Sequence, residues 1–200
     1  MPWKLFESGA HNNRNEFNPE YIRVTKYTMV KQIPWIRRSF NFDFPVSLFP
    51  VIFSRLEGSI FRLHSILLNA DEEFCSRCEN SWSVKENLGH LYDLEELWWK
   101  RLEDFQLRRT VLTAADMTNA KTNQSGHNEK TLEQLLQQFT TGRQKILEYI
   151  YLLDEEMLER TSLHPRLNQP MRLVDSLFFV AEHDDHHIAS ISSRLRKPAG

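Results

Sequence analysis

Cysteine is almost missing from this chain of 200 residues: there are two, Cys75 and Cys78, in the motif FCSRCEN. A zinc site of the CxxC kind needs a second such pair or a CxxH partner, and a redox CxxC needs a βαβ setting. Neither is present, so the two read as reduced structural thiols, with no disulfide framework. An excess of one charge is missing as well, with 25 basic and 27 acidic side chains, the basic ones scattered. That removes the cationic face on which a nucleic-acid binder depends. No apolar run reaches the roughly 18 residues of a membrane span, and the start, MPWKLFESGAHNN, lacks the apolar core of a signal peptide. The expectation is a cytoplasmic protein with one core, because a chain of this length hardly builds two.

What the chain does have is apolar residues at helical period. PVSLFPVIFSRLEGSIFRLHSILLN, residues 45–69, reads as a first helix with Pro50 in its first turn or kinking it. Ser83 followed by Glu86 is a capping box, and it predicts a second helix from Ser83 to about Leu107. A polar connection of about 20 residues follows, a length that bundles tolerate. Thr131 and Gln134 then repeat the signature ahead of a third helix over 132–151. DEEMLER reads as a turn and SLHPRLNQPM as a proline-flanked linker, with no strand-like alternation of useful length. LVDSLFFVAEHDDHHIASISSRLRK is a fourth helix ending near Lys197. The fold class is therefore all-α: a four-helix bundle over residues 45–200 with a long crossover between helices 2 and 3. Residues 1–44 read as an irregular N-terminal arm broken by Pro19 and Pro34. Trp35, Phe40, Phe42 and Phe44 look like its anchors on the domain.

The last helix carries AEHDDHHIAS. At about 100° per residue, Leu173, Leu177, Ala181, Ile188, Ile191 and Leu195 form one stripe. His187 flanks that stripe at about 80° and His183 at about 120° on the same side, whereas His186 turns to solvent. Side chains four apart stack one turn above the other, so both imidazoles can reach one point. His90 flanks the stripe of the second helix in the same way. If the two flanks face each other, three imidazoles converge, which is the usual ligand set of a catalytic zinc and also suits nickel, iron or copper. Two surface histidines and a satisfied core histidine would give the same spacing. Glu182, Asp184 and Asp185 surround the pair, where carboxylates orient a ring nitrogen or add a ligand. Asp184 and Glu95 fall near their stripes, and a buried carboxylate needs donors. They serve the site as base or supporting group, or they partner an arginine or tyrosine. His64, His127 and His164 are open as additional polar contacts, His164 being the nearest to a possible site, but each reads rather as a loop or surface residue.

WSVKENLGHLYDLEELWWKRL, then TLEQLLQQFTTGRQKIL, then the helix with AEHDDHHIASI resembles the DinB-like superfamily, also called YfiT-like, of metal-binding four-helix bundles. The resemblance runs from about Phe44 to Lys197. It implies that His90, His183 and His187 hold a divalent metal, nickel or zinc. It also implies an enzyme, such as a transferase moving a low-molecular-weight thiol of the bacillithiol kind onto an electrophile. The alternatives are a metal-dependent hydrolase using metal-bound hydroxide and a non-catalytic dimeric bundle with a structural metal. Long aromatic-rich helices make a homodimer plausible, with a small-molecule substrate and neither nucleic acid nor membrane as partner.

Overall fold

Pro50 lies in the first turn of helix α1 (Phe49–Leu67), where its missing N–H leaves no bond unmade, so the proline starts the helix. A 3-10 turn, Val46–Leu48, takes up the residues in front of it. The computed structural model describes residues 30–196, and from Trp35 on the chain forms one compact unit. Pro19 and the expected helix end near Lys197 lie outside the described residues.

A short helix α2 (Glu72–Cys75) is capped by Asp71, which accepts from the Phe74 N–H at 2.6 Å. It buries Cys75, whose thiol burial pushes up to about 11, while Cys78 stands exposed; both are free thiols. Helix α3 (Val84–Gln106) starts where the capping box predicts. The Ser83 hydroxyl accepts from the Glu86 N–H at 3.0 Å, and the Glu86 carboxylate accepts from the Ser83 N–H at 2.7 Å. The crossover holds helix α4 (Ala120–Gln124). Helix α5 (Leu132–Tyr151) opens on the Thr131–Gln134 box, at 3.0 and 3.1 Å. The DEEMLER segment forms one turn of helix, α6 (Glu155–Leu158), capped by Asp154. Helix α7 (Leu173–Leu195) closes the bundle, its first turn held by Asp175 accepting from the Arg172 N–H at 2.8 Å.

Packing pairs α1 with α5 and α7, and α3 with the same two, so α1 and α3 face each other across a diagonal. Leu56, Leu63, Leu88, Phe105, Leu135 and Phe139 fill the centre.

Between α6 and α7 the structure departs from expectation. The proline-flanked linker is a two-stranded antiparallel hairpin, β1 (Thr161–His164) against β2 (Gln169–Arg172). Each strand spans only four residues, too few to show alternation, and Pro170 is tolerated because β2 is the edge strand of the hairpin. The hairpin anchors the crossover: Leu112 N–H donates to the Leu163 carbonyl at 3.0 Å and Leu163 N–H to the Thr110 carbonyl at 2.9 Å. Upstream, the aromatic anchors lie on α7. Trp35 and Phe40 pack on Phe179 at centroid distances of 5.0 and 4.9 Å, and Phe44 packs on Phe178 at 5.2 Å.

Candidate metal centre

The α3·α7 pairing puts the flank of one helix against the flank of the other, and His90, His183 and His187 meet there. Their ring centroids are 4.5 to 5.2 Å apart, and one nitrogen of each lies within 4.8 Å of the others. All three are buried. Burial, with the neighbouring histidines adding to it, pushes His183 and His187 well below their ordinary range. Burial likewise pushes His90 down to about 4, against the pull of the Asp93 charge. The imidazoles are thus neutral at pH 7 and keep a lone pair each, the state a metal ligand must be in.

The hydrogen bonds decide which nitrogen is free. Asn87 donates its amide N–H to the Trp82 and Ser83 carbonyls at 3.2 and 2.7 Å, which leaves its Oδ1, 2.9 Å from His187 Nδ1, as an acceptor. His187 therefore carries its proton on Nδ1 and presents Nε2. The Thr122 hydroxyl donates to Asp93 Oδ2 at 2.9 Å, so it accepts from His90 Nδ1–H at 3.0 Å, and His90 also presents Nε2. Asp93 in turn accepts from His127 Nε2–H at 2.8 Å. Burial alone would raise the Asp93 carboxyl, but the bonds from His127 and Thr122 outweigh it and hold the group low. A charged carboxylate behind a threonine behind a ligating histidine is the usual way to raise ligand basicity. His183 Nδ1 is buried with no hydrogen-bond partner at all. Two imidazoles with Nε2 exposed to a common point, and a third with an orphaned nitrogen, form a donor set that fits a nitrogen-loving divalent ion.

Four of these residues were not among the expected ones. Asn87 and Asp93 sit three residues either side of His90 on α3, a spacing that could have flagged them. Thr122 and His127 come from the crossover, and nothing in their local sequence points to α3. His127 lies in the crossover, as a loop residue would, but it is buried, and its ring explains the glycine of ENLGH. A Cβ on Gly89 would meet the His127 ring at 2.3 Å. His164, also expected at the surface, is buried in β1; His64 is exposed, as expected. Replacing Thr122 by Val keeps the shape and removes the link between His90 and Asp93. We expect divalent-metal affinity to fall about 10- to 100-fold, read by competition with a chromogenic chelator. Unchanged affinity would show that the relay does not act on the site.

The acidic residues of EHDDHH do not orient the histidines. Glu182 pairs with Arg38 and with Arg55 at 2.6 Å, and Asp185 with Arg55 and with Arg62 at 2.6 Å. Asp184 and Glu95, expected as base, supporting group or arginine partner, both bind Arg143, which donates to all four of their oxygens. Gly142 lets Glu95 approach, since a Cβ there would sit 2.9 Å from Glu95 Cγ. His186 is only half exposed, because the Trp35 ring covers it at 5.6 Å. An isolated helical wheel cannot see that cover. Trp35 also stands edge-on to His183 at 4.9 Å, Trp98 lies 5.7 Å from the same ring, and Trp82 lies 4.5 Å from His90. Three indoles therefore wall the imidazoles.

The model of the DinB superfamily matches residues 56–191, a span that holds all three histidines. The chain belongs to the DinB superfamily. A four-helix bundle is also what structural comparison finds. YfiT from Bacillus subtilis, described as "a probable metal-dependent hydrolase with an unusual four-helix bundle topology", superposes with a TM-score of 0.70 at 16% identity. The match covers 80% of this chain and 92% of that one. No curated protein matches the chain. Among the described residues of this DinB member, no helix is long and apolar enough to cross a membrane.

Proposed function

We propose that this DinB protein is a divalent-metal-dependent enzyme, with nickel or zinc held by His90, His183 and His187. We further propose that it transfers a low-molecular-weight thiol of the bacillithiol kind onto an electrophile. The observation that carries the reading is the convergence of three buried, neutral imidazoles, two of them with the free nitrogen fixed by Asn87 and Thr122. The chemistry such an ion supplies is Lewis acidity, which lowers the pKa of a thiol or a water. Asn87 and Thr122 orient the rings, and the indoles of Trp35, Trp82 and Trp98 exclude water around them.

Two features favour thiol over water as the nucleophile. A thiol titrates near 8.5, so it needs little help to ionise at pH 7. Water needs far more, often with a base, and the two carboxylates that the sequence offers for that part, Asp184 and Glu95, are taken up by Arg143. Hydrolysis is the second reading, favoured by the description of YfiT.

Metal analysis of freshly purified protein tests the site. We expect close to one equivalent of nickel or zinc, and loss of nearly all of it in His187→Ala. Equal, negligible metal in both would overturn the proposal. Thiol consumption measured with a panel of thiols and electrophiles tests the chemistry. Turnover without thiol, abolished by chelation, would replace transfer by hydrolysis. A melting temperature that falls on chelation, with no turnover of any kind, would make the metal structural.

A further inference from the structure

Phe179 lies one turn ahead of His183 on α7, and three hydrogen-bond donors are buried around its ring with nothing to donate to. The His164 ring packs on it at 5.2 Å, the Trp98 ring at 6.4 Å, and the Arg166 guanidinium carbon lies 5.6 Å from its centroid. Trp98 Nε1, His164 Nε2 and Arg166 Nη2 are each buried and unpartnered. His164 is 2% exposed and Trp98 5%, so neither group reaches bulk water. The tautomer of His164 follows from its other nitrogen: Leu167 N–H donates to Nδ1 at 3.2 Å, so the proton sits on Nε2 and that atom donates. Indole and guanidinium N–H groups only donate. The cluster therefore holds three donors and no acceptor.

It is also positively charged. The Arg101 guanidinium lies 5.3 Å over the Trp98 ring and is buried, its Nε donating to the Thr113 carbonyl at 3.0 Å. Asp104 is the acid nearest to it, but its oxygens are engaged by Thr113 N–H at 2.6 Å and Arg109 at 3.2 Å. Burial pushes the Arg166 charge down with no acid set against it. Both arginines add to the burial that holds His164 at about 3, which places all three groups within each other's field. Orphaned buried N–H groups beside a half-buried guanidinium are costly, and native chains keep such groups where water, an ion or a ligand completes them.

We propose that this cluster binds an oxyanionic group, carboxylate or phosphate, of the small molecule on which the histidine site acts. Phe179 and His183 are four residues apart, about 6 Å along the helix. The anionic group is thus seated roughly one turn from the reacting atom, and the substrate is a short anionic electrophile or an acidic thiol. The anion site stands on its own donors; its assignment to a substrate rests on the metal-dependent reading above.

Calorimetric titration of the full chain with acetate, succinate and inorganic phosphate, at constant ionic strength, tests it. His187→Ala is titrated in parallel, because an ion at the histidines would itself attract anions. We expect binding in both proteins with equal affinity, and a loss of at least about tenfold in Arg166→Gln. Trp98→Phe keeps the ring and deletes one N–H, so it should weaken binding several-fold with the melting temperature held. The carboxylate and phosphate arms decide between the two anions. No binding at tens of millimolar, or binding that vanishes in His187→Ala while Arg166→Gln leaves it intact, overturns the site. Arg166-dependent binding in a protein that holds no metal would keep the anion site and remove the metal reading.

Discussion

Chelator-treated protein is expected to lose stability steeply as pH falls below about 6.5, far more so than a bundle with surface histidines. Four histidines are buried neutral: His90 is held at about 4 and His164 at about 3, with His183 and His187 well below their ordinary range, burial being the first cause in each. In the unfolded chain each would titrate near 6.5. Between those values the unfolded state binds protons that the folded state refuses, so stability rises with pH and falls with acid. The slope is about 1.4 kcal/mol per pH unit for each histidine. Glu95 works in the opposite sense. Burial pushes it up to about 7 against the pull of Arg143, so in its window the folded state binds the extra proton and offsets one histidine. A net slope on the order of 4 kcal/mol per unit compares with a typical total of about 5–15 kcal/mol. Thermal scans from pH 7.5 downward should show the melting temperature collapsing before pH 4. A flat profile to pH 5 would mean that the imidazoles are not buried neutral.

Arg143→Met should cost about 3–5 kcal/mol, because it leaves the Asp184 and Glu95 carboxyl groups buried with neither a cation nor a donor, and Glu95 escapes the charge only by taking up a proton. Arg143 and Asp184 are wholly inaccessible, and Arg143 donates to Glu95 at 2.7 and 3.2 Å. At about 2–4 °C per kcal/mol for a domain of this size, the melting temperature falls by roughly 10 °C or more. Adding Glu95→Gln and Asp184→Asn to the same chain removes the stranded carboxyl groups and should restore much of the loss. A fall of only a degree or two in Arg143→Met would show that the triad is not holding the core. The experiment also separates the roles open to Asp184 in the sequence. A base would be lost in Asp184→Asn without a stability change, whereas a structural partner would not.

The helices were legible because their starts are written locally. Ser83 with Glu86 and Thr131 with Gln134 place α3 and α5 to the residue. The three histidines were legible as positions on two flanks, since spacing of four on a helix is a geometric statement. What surrounds them was not. Arg143 is 48 residues from Glu95 and 41 from Asp184, and no local pattern singles it out from the other basic residues. Thr122 and His127 sit in a polar connection whose composition says loop, and only the return of the crossover onto α3 gives them a role. The hairpin escaped because four-residue strands beside two prolines carry no period. His186 was misplaced because a wheel counts neighbours on one helix, and its cover arrives from Trp35.

Trp35, Arg38 and Phe40 all precede the span that the family model matches, residues 56–191, yet they touch His183, Glu182 and Phe179. One of the three indoles that wall the site, Trp35, is thus encoded apart from the helices that carry the imidazoles, whereas Trp82 and Trp98 lie within the matched span. A substitution in that short leading stretch therefore alters one side of the site and leaves the ligand-bearing faces of α3 and α7 as they are. The metal ligands and one face of their enclosure thus sit on separate pieces of the same chain.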